Sequence, residues 1–130
     1  MRRIPLLFAA FVSLGAVGVA IPMALGGGAA TTRITVTASD FKFKLSQRTA
    51  PAGKVVITLV NRGKTRHDIR IGGKKTKRLA PGGRATLSVT LKAGRAPFIC
   101  TVPGHARLGM RGTLTVKQPP PTTEETTEEG

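Results

Sequence analysis

The residues of this 130-residue chain best suited to chemistry are its one cysteine, its two histidines and a methionine. Cys100, His105 and Met110 fall at C-x4-H-x4-M in the run Cys100-Thr101-Val102-Pro103-Gly104-His105-Ala106-Arg107-Leu108-Gly109-Met110. A thiolate, an imidazole and a thioether form a soft donor set. With a second imidazole they give two His and one Cys in a trigonal plane under a weak axial Met. That combination selects copper and suits one-electron transfer. The second imidazole must come from elsewhere, and His67 is the only other histidine. The expected metal site is therefore His67, Cys100, His105 and Met110. It uses every histidine and the only cysteine.

Each residue has a plainer explanation when taken alone. A lone Cys in a strand is ordinarily a small core residue. A His after a Pro-Gly turn is ordinarily on the surface, and a Met after Gly fills a gap. Their joint occurrence at this spacing favours ligation. Zinc fits less well, because structural zinc takes four Cys or His ligands and Met serves it poorly. A two-copper centre would need a second Cys, which the chain lacks. A single thiol in an oxidising compartment must be buried, paired with another chain or held by a metal.

Short strands must position these residues. Ile34–Ala38, Phe41–Leu45, Ala85–Leu91 and Leu114–Val116 alternate apolar with polar residues, the period of a strand with one buried face. Lys54–Val60 is more uniformly apolar, as a central strand is. Turn signals separate the runs at Pro51-Ala52-Gly53, Asn61-Arg62-Gly63, Gly72-Gly73, Pro81-Gly82-Gly83 and Lys92-Ala93-Gly94. This spacing predicts an all-β Greek-key sandwich over residues 31–117. The Cys–His–Met segment then becomes a loop at one end, between strands Ala96–Thr101 and Gly112–Val116. His67 lies between Lys54–Val60 and Ile69–Ile71, at the edge of strands.

The two ends differ in kind from this middle. Met1-Arg2-Arg3 followed by 22 uncharged residues, Ile4–Leu25, is the pattern of an export signal. The stretch is also long enough to span a bilayer. Residues 1–30 are thus expected to be a signal peptide or an N-terminal membrane anchor helix, with the domain outside, in the periplasm or on the outer face of the membrane. Residues 118–130, rich in Pro, Thr and Glu, contain nothing to bury and are expected to be a disordered tail.

Charge is divided as unevenly. Arg2 and Arg3 precede the apolar run, and four of the six acidic residues lie in the tail. Residues 31–117 hold 19 basic side chains against Asp40 and Asp68, a net of +17. Such a field attracts anionic partners. Nucleic acid is a poor candidate, since the chain has no Trp or Tyr for base stacking and export would separate the two.

Residues 33–117 resemble a cupredoxin, of the plastocyanin, azurin and rusticyanin kind. The resemblance rests on Phe98-Ile99-Cys100-Thr101-Val102-Pro103-Gly104-His105 closing on Gly109-Met110-Arg111-Gly112. Val60-Asn61-Arg62-Gly63-Lys64 before His67, and Leu79-Ala80-Pro81-Gly82-Gly83 before Ala85–Leu91, add to it. The C-x4-H-x4-M spacing is similar to rusticyanin-like members; plastocyanin has a shorter Cys–His gap. The resemblance implies a blue-copper electron carrier, with His105 among Pro103, Ala106 and Leu108 as the electron port. Asp68 stands where many members carry an Asn that donates hydrogen bonds around the thiolate, and an ionised Asp cannot donate.

The expected function is therefore single-electron shuttling between redox partner proteins with acidic surfaces, by a monomer. A copper carrier with the same ligands, passing the metal on, is the alternative. A metal-free adhesive sandwich is another reading, in which Cys100 is a packing residue. No catalytic role is expected, because four ligands leave no open position for substrate.

Overall fold

A computed structural model describes residues 30–119 of the chain. The expected signal or anchor segment and all but the start of the tail lie outside the described residues. Nine strands build two sheets. They are β1 (Thr32–Ser39), β2 (Lys42–Leu45), β3 (Thr49–Pro51), β4 (Gly53–Asn61), β5 (Arg70–Ile71), β6 (Lys74–Lys75), β7 (Arg84–Leu91), β8 (Gly94–Ile99) and β9 (Arg111–Lys117). One sheet runs β2-β1-β4-β7 and the other β3-β9-β8-β5-β6. The described residues contain no helix long and apolar enough to cross a membrane. The fold is the expected all-β sandwich.

Alternation fills the space between the sheets. Ile34, Val36 and Ala38 of β1 point inward, as do Val89 and Leu91 of β7. Central β4 lies between β1, to which it is parallel, and β7, to which it is antiparallel. Its Val55, Ile57 and Leu59 are buried in the core, and Val56 is buried as well. Phe98 of β8 and Leu114 and Val116 of β9 face them from the second sheet. Phe43 meets Phe98 edge-on, with centroids 5.8 Å apart, a favoured aromatic geometry. Gly112 makes room for that ring, since a Cβ there would come 2.5 Å from Phe98 Cζ.

Three details depart from the sequence reading. Phe41 belongs to the β1–β2 turn rather than to β2. The strand expected to run through Thr101 ends at Ile99, so Cys100 starts the loop. Strands β3 and β6 carry no alternation to betray them. β3 is a three-residue edge pairing on β9, where Pro51 at its end costs no ladder bond, and both residues of β6 are exposed.

Leu59 sits fully buried in the middle of β4. Leu59→Ala should cost about 2–5 kcal/mol, read from urea unfolding of the metal-free protein. A loss within about 0.5 kcal/mol, the range of surface changes, would contradict this account of the core.

Candidate metal centre

Three chain segments meet at one end of the sandwich: the β1–β2 turn, the segment after β4, and the β8–β9 loop. Asn61, the last residue of β4, organises the second of these. It is fully buried and donates from Nδ2 to the carbonyls of Thr65 and Leu79, at 2.8 and 2.9 Å. Its Oδ1 accepts from the Gly63 N–H at 2.9 Å. One amide thereby folds residues 61–65 into a fixed turn. Two backbone bonds between His67 and Leu79 (3.2 and 2.8 Å) then fix where the His67 ring starts.

The β8–β9 loop is closed by its own backbone. Cys100 N–H donates to the Met110 carbonyl at 2.9 Å, and Met110 N–H donates to the His105 carbonyl at 3.1 Å. His105 N–H donates to Val102, and Leu108 N–H returns to His105, both at 3.1 Å. Gly104 and Gly109 turn the chain at φ 83° and 119°, values that favour glycine. All three loop residues singled out by the sequence are thus tied to one another through the main chain.

The side chains of His67, Cys100 and His105 converge. One donor atom from each lies within 4.8 Å of the others. His67 Nδ1 is 3.2 Å from His105 Nδ1, and Cys100 Sγ is 3.7 Å from His105 Nδ1. Donors bound to one ion at about 2.0–2.3 Å in a trigonal plane stand about 3.5–3.7 Å apart. These separations and this donor chemistry fit one copper ion. Met110 is fully buried in the same core cluster as Cys100. His67 is fully buried and Cys100 is 1% exposed, whereas His105 is partly exposed.

Burial sets the protonation of two donors. The Cys100 thiol is pushed above its ordinary 9.0, first by burial and further by the Asp68 charge. His105 is held below its usual 6.5, mainly by burial and by His67 beside it. At neutral pH the imidazole is therefore free to ligate, and the thiol must lose its proton to do so.

Two side chains that sequence reasoning underrated complete the surroundings. Asp68, fully buried, accepts from Thr101 N–H and from Thr101 Oγ1–H, each at 2.6 Å. The loop after Cys100 is thus steadied by an acceptor, and Arg78 Nε stands 3.6 Å from the same carboxylate. Asp40, in the β1–β2 turn, places its Oδ1 2.7 Å from His67 Nε2. Bonds from Lys64 N–H and from His67 and Thr65 hold its carboxyl down at about 2. Phe41 packs edge-on against His105, with centroids 4.9 Å apart, and against His67 at 6.4 Å. The signal for Asp40 was its scarcity: only two acids occur in residues 31–117. A surface groove of about 560 Å³ is lined by Arg70, Gly72, Lys92 and Arg95 among others and by none of the donors.

Comparison with known proteins gives a family and a fold. The pattern of the cupredoxin-like domain matches residues 6–116. The structure is similar to reduced auracyanin from Roseiflexus castenholzii, at 24% identity and a TM-score of 0.53 over 69% of this chain and 98% of that one. It is also similar to auracyanin A, a blue copper protein from Chloroflexus aurantiacus, at 21% identity and 0.59 over 68% and 100%. A copper nitrite reductase from Nitrosomonas europaea matches at 17% identity and 0.55, over 68% of this chain and 42% of that larger one. No curated protein sequence matches the chain. A sandwich of this topology, a gathered His67–Cys100–His105 donor set and a family pattern spanning most of the sequence lead to one conclusion: the chain belongs to the cupredoxin-like domain family.

Proposed function

We propose that the chain is an exported blue-copper electron carrier that holds one copper ion through His67, Cys100, His105 and Met110. The observation that carries the reading is the convergence of two imidazole Nδ1 atoms and one thiol sulfur at the end of a cupredoxin-like sandwich. Cys100 would supply the thiolate, His67 and His105 an imidazole nitrogen each, and Met110 a thioether. When bound, the ion supplies one-electron exchange between its +1 and +2 states.

The remaining work belongs to the protein. Backbone bonds between Cys100, His105 and Met110 hold the loop donors in place before any ion arrives. Such a frame limits rearrangement when the charge changes. His105 is the one donor of the gathered three that reaches the surface. Beside it Leu108 is 61% exposed, the only large apolar side chain so exposed among the described residues. Pro103 is exposed and Ala106 partly so. This small apolar patch suits brief contact with a partner, and the basic surface around it steers an acidic one. Export rests on the sequence of residues 1–30.

Three measurements follow from the donor set. Addition of Cu(II) to residues 31–130 should give an intense thiolate-to-copper visible band and the matching paramagnetic resonance spectrum, both absent in Cys100→Ala. A pale product with no such band would contradict the reading. Ready loss of Cu(I) to an acceptor would favour metal transport instead of electron transfer.

Met110→Leu should keep the band and raise the reduction potential, because a lost donor disfavours the more highly charged ion. An unchanged potential would remove Met110 from the ligand set.

Copper(II) uptake at pH 7 should release about one proton, that of Cys100. Apparent affinity should therefore climb with pH through the neutral range. It should fall more steeply in acid well below pH 6.5, where His105 also takes up a proton. Titration in buffers of different ionisation enthalpy reads the proton count. Uptake without proton release would contradict thiolate ligation.

A further inference from the structure

Asp40 belongs to a turn that bears none of the four proposed ligands, yet its carboxylate faces the ligand ring of His67. Oδ1 stands 2.7 Å from His67 Nε2, the nitrogen on the far side of the ring from Nδ1. The same oxygen accepts from Thr65 Oγ1–H at 2.9 Å and from Thr65 N–H at 3.4 Å. Oδ2 accepts from Lys64 N–H at 2.9 Å. The carboxylate is therefore held by the segment that carries His67, and it cannot turn away without breaking several bonds.

The ring has little freedom of its own. His67 is fully buried, and Phe41 meets it edge-on. Gly63 closes the remaining side: a Cβ there would run into Asp40 Oδ1 and stand 2.7 Å from His67 Nε2. The absence of a side chain at residue 63 is what lets carboxylate and imidazole meet. Gly63 is also pinned by Asn61, so the close approach is built into the turn.

We propose that Asp40 is a positioning residue of the metal centre: its carboxylate holds His67 as the Nε2–H tautomer with Nδ1 free for the metal, and strengthens that nitrogen as a donor. A carboxylate that accepts from the remote N–H of a ligating imidazole fixes the tautomer and ring orientation and raises ligand basicity. The stronger donor favours Cu(II) over Cu(I), so Asp40 lowers the reduction potential. This inference rests on His67 being a copper ligand, as proposed above.

The test has two arms. In metal-free wild-type protein with 15N-labelled histidine, NMR should show His67 protonated at Nε2 and bare at Nδ1. The Nδ1–H tautomer would overturn the proposal, whatever the copper chemistry. In the second arm, Asp40→Asn and Gly63→Ala are each compared with wild type. The first removes the charge, and the second drives carboxylate and ring apart, since its methyl would press on both, while keeping the carboxylate in the chain. Cu(II) affinity, read by competition, should fall about 10–100-fold in each. Every tenfold loss confined to Cu(II) raises the potential by about 59 mV. A loosened loop alone would weaken Cu(I) and Cu(II) alike and leave the potential where it was, and that result would overturn the proposal. If one variant does not fold, the other and the wild-type tautomer still decide. Wild-type protein without a thiolate–copper band would sink the copper reading itself. A blue wild type matched in potential by both variants would sink the role of Asp40 alone.

Discussion

Everything at the functional end of this molecule depends on holding a buried thiol and two imidazoles together without letting the chain close over them. Burying polar groups is costly unless they are hydrogen-bonded. Here every buried side-chain nitrogen and oxygen among the described residues has a partner. Asn61 ties down the His67 segment, and the Cys100–Met110 and Met110–His105 backbone bonds tie down the other loop. The sheets beneath carry the load: β4 delivers Asn61, β8 delivers Cys100, and β9 starts one residue after Met110.

The electrostatics work on two scales. Across the described surface the charge is overwhelmingly positive, which acts on distant partners and is screened by salt. At the metal end the few acids gather. Both acids of residues 31–117, Asp40 and Asp68, are placed there, one on the His67 ring and the other on Thr101 beside the thiol. Negative groups against the donor set stabilise the more highly charged ion. Residues 31–117 thus spend both of their acidic side chains at the site where local charge matters most.

Much of this was legible in the residue order. Alternation marked β1, β7 and β9, and uniform apolarity marked β4 as central, because a buried face leaves a period of two. The ligand set was legible because Cys, His and Met are scarce and their spacing in the loop is short. The β3 and β6 pairings left no trace, since short edge strands need no buried face. Asp40 and Phe41 were missed for a different reason. They reach the site from a turn distant in sequence, and only the pairing of β1 with β4 brings that turn beside His67. Asp68 was noticed, but its effect could not be read from its type. An Asp in place of a donating Asn left the rigidity of the site open, whereas Thr101 supplies two donors and the carboxylate accepts both.

The most direct test of the central claim is X-ray absorption at the copper edge on protein loaded with one equivalent of copper. This account predicts one short copper–sulfur distance and two copper–nitrogen distances in the Cu(II) form, with little change in the Cu(I) form. A shell of nitrogen and oxygen alone, or a large rearrangement on reduction, would contradict it.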